Sequence, residues 1–263
     1  MHRVVGILTD FGSRDHYVGV MKARVCEVLS KLNQKEVLPT FIDITNEIPP
    51  QDVKRACITL AFSYKYFPTG SKFLCVVDPG VGTERESIVV FTTDYSFVCP
   101  NNGILSLVLK EEKDFEVWRI REKVVMQPPY STTFHGRDLF APTIAYLLAE
   151  IPREKFLAPF DKEKLVMLDL EFAKVDSGKT RVDVWYVDRF GNLVTNFRKV
   201  KGIDKIRVLV NGKEIRLVNT YAEALPGELV AIFSSEELLE IAVNMGSAAK
   251  ILGKNPEVTI EVS

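Results

Sequence analysis

The chain has no apolar run close to the roughly 20 residues that a membrane-spanning helix needs, so no such helix is expected. It also has no excess of one charge. Its 34 basic and 35 acidic residues are interspersed, which removes the electrostatic footprint expected of a nucleic-acid or anionic-membrane binder. Only three histidines occur, His2, His16 and His135, and no H-x-x-x-H or Cys/His pair has metal-ligand spacing, so no metal is expected. Cys26, Cys57, Cys75 and Cys99 form no C-x-x-C pair, and the N-terminal residues lack a signal peptide's flanks, so reduced thiols and a cytoplasmic location are expected. There is no G-x-x-x-x-G-K-[ST] loop. Gly80-Val-Gly82 follows an apolar run, yet Arg85 stands where the third glycine of a dinucleotide loop belongs and the β-branched Ile88-Val-Val-Phe91 follows instead of a helix. Nicotinamide and flavin cofactors are therefore excluded.

What remains is a chain of 263 residues, 46% hydrophobic, long enough for two domains. Up to about residue 160, short apolar segments alternate with amphipathic ones: strands at 4–9, 37–44 and 73–77, and helices at 17–31 and 51–66. This order predicts βαβ units on a mainly parallel central sheet, an α/β domain. A strand pair at 87–92 and 95–98, a short helix at 104–109 and a longer one at 138–150 follow. The character then changes. Segments 180–188, 193–197, 206–217 and 229–233 read as strands, with Asn211-Gly212 as a type I′ hairpin turn, giving a separate, smaller β-rich domain. The expected division is 1–168, a linker at 169–179, and 180–263.

Candidate chemistry lies at the strand ends. Phe73 to Val77 delivers Asp78, Gly80, Gly82 and Arg85 to one sheet edge, where open α/β sheets present reacting groups. Asp78-Pro79-Gly80 is equally a plain turn signal. Thr9-Asp10 follows the first strand and emerges at the same edge, with Asp10 suited to ribose hydroxyls and Asp15 to capping the next helix. Phe134-His135-Gly136-Arg137-Asp138 places a histidine at a helix start, with Gly136 removing bulk beside it. In the second domain Asp188, Gly191 and Asn192 are explained as well by a turn as by a site. Ser234-Ser-Glu-Glu before an apolar run likewise has a plain reading, as a capping serine followed by glutamate at a helix start, beside a reading as part of a site.

Six segments in order, T-D-F-G-S-R-D-H-Y-V-G from Thr9, D-P-G-V-G-T-E-R from Asp78, P-N-N-G from Pro100, F-H-G-R-D from Phe134, D-R-F-G-N from Asp188 and L-E-I-A-V-N from Leu239, resemble the S-adenosylmethionine hydrolases (SAM hydroxide adenosyltransferases), relatives of the bacterial fluorinase and chlorinase. The resemblance implies that Asp78, Arg85 and His135 handle water. It implies that Asp10 grips the ribose and that Asn192, near Val243 and Met245, forms the adenine pocket. Asp188 and Ser235 would meet the methionine amino and carboxylate groups, with Glu240 nearby, and Phe134 and Gly136 would line the substrate. It further implies an all-β, antiparallel, barrel-like fold for the second domain, a homotrimer with active sites between subunits, and S-adenosyl-L-methionine as substrate and not cofactor. The fluorinase has a tyrosine where Asp78 falls, a serine where Gly136 falls and an extra segment between Val90 and Pro100. Halide transfer to the same substrate and non-catalytic sensing of adenosine or S-adenosylmethionine are the alternatives.

Overall fold

The computed structural model describes residues 3–174, 178–200 and 206–262; His2 and residues 175–177 of the expected linker lie outside the described residues. The chain divides into two compact units, Met1–Asp169 and Leu170–Ser263. In the first, strands β1 (Val4–Thr9), β2 (Thr40–Thr45), β3 (Lys72–Val76), β4 (Ser87–Thr92), β5 (Ser96–Pro100), β6 (Phe115–Ile120) and β7 (Leu157–Pro159) form one sheet in the order β2-β1-β3-β5-β4-β6-β7. The first four in that order are parallel, β4 is antiparallel to both neighbours, and β6 therefore runs with the majority. Helices α1 (Tyr17–Lys31), α2 (Val53–Ala61), α3 (Ser106–Glu111), α4 (Glu122–Val125) and α5 (Ala141–Leu148) connect the strands.

β1 is buried at all six positions, as a central parallel strand covered on both faces must be. α1 packs beside α5 over one core in which Met21, Val25, Leu139, Phe140 and Ile144 are buried. Among the described residues no helix is long and apolar enough to cross a membrane.

Several boundaries move for identifiable reasons. β2 starts at Thr40 and not at residue 37, because Pro39 has no N–H to give and the Thr40 N–H is the first to reach Arg3 O, at 3.0 Å. α2 begins after Asp52, whose side chain accepts from the Arg55 N–H at 2.8 Å, and ends at Ala61 before a separate 3₁₀ turn at Tyr64–Tyr66. Asp15 does not cap α1; His16 occupies that position without a side-chain cap. The helix expected from residue 138 begins as a π-helical turn at Gly136–Phe140, with His135 at its N-cap, a form common at functional positions.

The second unit contains β8 (Gly178–Val182), β9 (Val184–Val187), β10 (Leu193–Arg198), β11 (Ile206–Val210), β12 (Lys213–Val218), β13 (Leu229–Phe233), β14 (Leu238–Val243), helix α6 (Ala248–Leu252) and β15 (Val258–Val262). Its eight-stranded sheet runs β8-β15-β11-β12-β13-β14-β10-β9, antiparallel at every step except β12-β13. The end strands β8 and β9 are separated only by Asp183, so the sheet curls into a nearly closed barrel. Asn196 of β10 holds the seam. Its N–H donates to Asp183 O and its side-chain oxygen accepts the Asp183 N–H, each at 2.9 Å.

The helix expected after Ser234 is instead strand β14. All six of its residues are buried, and it pairs with β13 on one side and β10 on the other, so long-range pairing overrides the local capping signal. The Asn211-Gly212 turn has φ of 50° and 75°, the left-handed pair that a type I′ hairpin requires.

Candidate active site

β1 and β3 are in register with Thr9 beside Val76, so Asp10 and Asp78 both emerge just past the carboxyl edge of the sheet. The Asn102 side chain, beyond the end of β5, donates to Val77 O at 2.8 Å and fixes the strand end that precedes Asp78. From there the chain turns through Gly82, at φ +78°, where an added Cβ would lie 2.9 Å from Thr132 O. Only glycine permits that backbone approach. It brings the loop carrying Asp78 and Arg85 against the loop that leads into His135.

Arg85 is the hub of the resulting cluster. Its Nε donates to both Asp78 oxygens, at 2.9 and 3.1 Å, while Nη2 donates to Asp78 and, at 3.0 Å, meets His135 Nδ1. Nη1 donates to Ser87 Oγ, which donates in turn to Glu122 Oε1 at 3.0 Å. The guanidinium lies over the Phe140 ring, 5.3 Å from its centroid. Asp78 and Arg85 keep only 6% and 11% of their side-chain exposure, so this is a shielded ion pair and not a surface one. Because arginine offers only donors, Nδ1 of His135 must accept, and the neutral ring then carries its proton on Nε2. Burial, reinforced by the Arg85 charge, holds the imidazole below its usual range and favours that neutral form, against the opposing pull of Glu122, Asp78 and Asp138.

Asp10 accepts the Gln51 N–H at 2.8 Å, with Gln51 itself at φ +67°. Phe134 packs edge-on against Phe11 and Tyr17 at 5.9 and 5.4 Å between ring centres. The space beside Gly136 is taken by protein: an added Cβ would lie 2.9 Å from Met21 Sδ and 3.2 Å from Phe134. Packing of these side chains thus accounts for the glycine.

The second unit holds a cavity of about 860 Å³ whose lining includes Asp188, Asn192, Ser235, Glu240, Val243 and Met245, the six residues of this domain that the resemblance places against the substrate. Asp188 accepts the N–H groups of Phe190 and Asn192 at 2.9 and 2.8 Å, and the Asn192 side chain at 3.0 Å. Tyr221 extends the chain. Its hydroxyl lies 3.4 Å from Asn192 Nδ2 and donates to Glu240 Oε2 at 3.3 Å. Glu240 is 8% exposed; burial and the nearby Asp188 charge push its carboxyl up to about 7. Partial burial of its hydroxyl, with Glu240 beside it, raises Tyr221 to about 12, although the residue as a whole is exposed.

Ser87, Glu122 and Tyr221 escaped the sequence reading. Ser87 opens a strand and Glu122 a helix, positions without a local signal. Tyr221 sits in the crossover between the parallel neighbours β12 and β13, a connection visible only once the pairing is known.

Residues 5–156 match the family model of the SAM hydroxide adenosyltransferase N-terminal domain, and residues 182–261 match that of its C-terminal domain. An (R)-S-adenosyl-L-methionine hydrolase from Thermus thermophilus is 35% identical over 260 residues, covering 95% of this chain and 96% of that protein. A fluorinase from Nocardia brasiliensis is 24% identical, covering 98% and 96%. The crystal structure of an uncharacterized conserved protein from Thermotoga maritima superposes with a TM-score of 0.84 at 35% identity, over 98% of this chain and 99% of that one. With its Asp78–Arg85–His135 cluster and its carboxylate-lined cavity each built from the segments that carry the resemblance, the chain belongs to the SAM hydroxide adenosyltransferase family.

Proposed function

We propose that this enzyme hydrolyses S-adenosyl-L-methionine, or its R-sulfonium epimer, to adenosine and L-methionine. The observation that carries the reading is the Asp78 carboxylate, buried at the sheet edge in the grip of Arg85 and beside His135. A halide entering on the carboxylate side would meet a like charge, at a cost of up to about 4 kcal/mol for unit charges 4 Å apart at an effective dielectric near 20, less what the paired Arg85 offsets. Water meets an acceptor instead.

In the proposed reaction a water oxygen bonds to C5′ as the C5′–S bond breaks, and the sulfur leaves with the electron pair as a neutral thioether. No general acid is needed for that departure. One water proton is left over. Since His135 Nδ1 already accepts from Arg85, the ring offers Nε2–H to the oxygen, and the proton passes toward Asp78. Asp10 would hold the ribose hydroxyls. In the other domain Asn192, Val243 and Met245 would receive the adenine, and Asp188, Ser235 and Glu240 the amino-acid end. No cofactor is required, because the sulfonium is its own activated leaving group. Assembly as a homotrimer, with each site completed by a neighbouring subunit, and a cytoplasmic location are part of the same reading.

Turnover in heavy-oxygen water is expected to place the label in the 5′-hydroxyl of adenosine. Asp78→Asn is expected to lose at least ~100-fold in kcat while binding adenosine within about twofold of the parent. Unlabelled adenosine, or a halogenated nucleoside formed when salt is added, overturns the proposal.

A further inference from the structure

Arg85 spends four of its five N–H groups inside the cluster, and the one directed away from Asp78 and His135 goes to Ser87. Ser87 is 1% exposed and opens β4, between β5 and β6. In the antiparallel register Ile88 lies beside Arg119, so β6 ends next to Ser87 and the chain turns there into α4, whose first residue is Glu122. A buried serine that accepts from a guanidinium and donates to a half-buried carboxylate is fully committed.

We infer that Ser87 and Glu122 are positioning residues for the proposed hydrolysis: Glu122, acting through Ser87, fixes the plane of the Arg85 guanidinium so that one arginine serves Asp78 and His135 together. The inference rests on the hydrolase reading. Without Ser87 the arginine keeps its two-point Asp78 contact but loses the anchor on Nη1, and the Nη2 to His135 bond is the one that loosens. Glu122 has a second effect through space, because its negative charge opposes that of Arg85 at the imidazole. The charged groups around His135 are Arg85 from the turn before β4, Asp78 from the end of β3, Glu122 from α4 and Asp138 from the π-helical turn. Removing Glu122 leaves Arg85 less balanced, and the protonated imidazole becomes harder to form.

The test combines kinetics with a titration that needs no turnover. Glu122→Gln and Ser87→Ala are each expected to lower kcat about tenfold with KM within about twofold. In the ligand-free protein, the NMR titration of the His135 ring is expected to move at least about half a pH unit lower in Glu122→Gln, and the acid limb of kcat with it. Glu122→Asp is expected to recover part of both. Variants that keep the parent's kcat, or a Glu122→Gln protein whose His135 titrates as in the parent, overturn the inference. A parent chain with no turnover sinks the hydrolase reading, and the titration then decides the Glu122–His135 coupling by itself.

Discussion

Among single residues, Glu240 separates what the fold tolerates from what a ligand needs. Burial and the Asp188 charge push its carboxyl from the ordinary value of 4.5 up to about 7 in the native pocket. The native state therefore holds this proton more tightly, so its contribution to stability is complete below about pH 4.5 and is lost as pH rises through 7. Glu240→Gln keeps the shape and removes the titration. Thermal melts of parent and variant are expected to diverge between pH 5 and pH 8, the variant retaining on the order of 2 kcal/mol more of its stability at the alkaline end. Equal pH dependence in the two proteins would dismiss the idea. Asp78 was readable from sequence because an apolar run and Asp-Pro-Gly announced its place. The partners of Arg85 were not, since Ser87 and Glu122 are 35 residues apart and meet only when β4 and β6 pair.

At the scale of elements, turns that the sequence marked with glycine do more than reverse the chain. Gly191, at φ +86°, packs its backbone onto Ser247, where an added Cβ would lie 2.0 Å from Oγ; Gly191 O also accepts the Ala249 N–H at 2.9 Å. The turn that presents Asp188 and Asn192 is thereby docked on the start of α6. Gly191→Ala is expected to destabilise the protein by more than about 1 kcal/mol and to raise KM more than it lowers kcat, as chemical denaturation and steady-state kinetics would register. Relieving the clash with Ser247→Gly should restore only part of the stability, because the left-handed backbone remains. β1, α1, β4 and β13 were legible to the residue from apolar patterning. β14 was not, because Ser-Ser-Glu-Glu carries a helix-start signal and the competing strand partners lie elsewhere in the chain.

For the whole molecule, the two units carry different halves of the proposed chemistry, the water-handling cluster in 1–169 and the nucleoside and amino-acid pocket in 170–263. If each site draws on two subunits of a trimer, mixing the inactive variants Asp78→Asn and Asn192→Ala under conditions of subunit exchange is expected to return about a quarter of the parent activity, since random assembly pairs two intact halves at one site in four. Sites confined to single subunits would return none. Sedimentation should give three times 29.7 kDa. The β-rich character of the second unit was plain from short strands and the Asn-Gly turn, and its barrel form came with the family resemblance; where the ring closes was not legible, because the joint at Asp183 looks like the middle of one continuous strand.

That joint has a consequence of its own. A barrel whose two end strands are neighbours in sequence is a ring fastened by a clasp, and the clasp here is Asn196, whose side-chain amide is held between the Asp183 N–H and Glu171 O. Seven ladders of backbone bonds share the load around the ring, whereas at the joint one residue supplies both the backbone bond and the side-chain bond to Asp183. Opening under heat or mechanical pull should begin there, so the lifetime of the closed ring answers to a single residue that touches neither the pocket nor the reacting atoms.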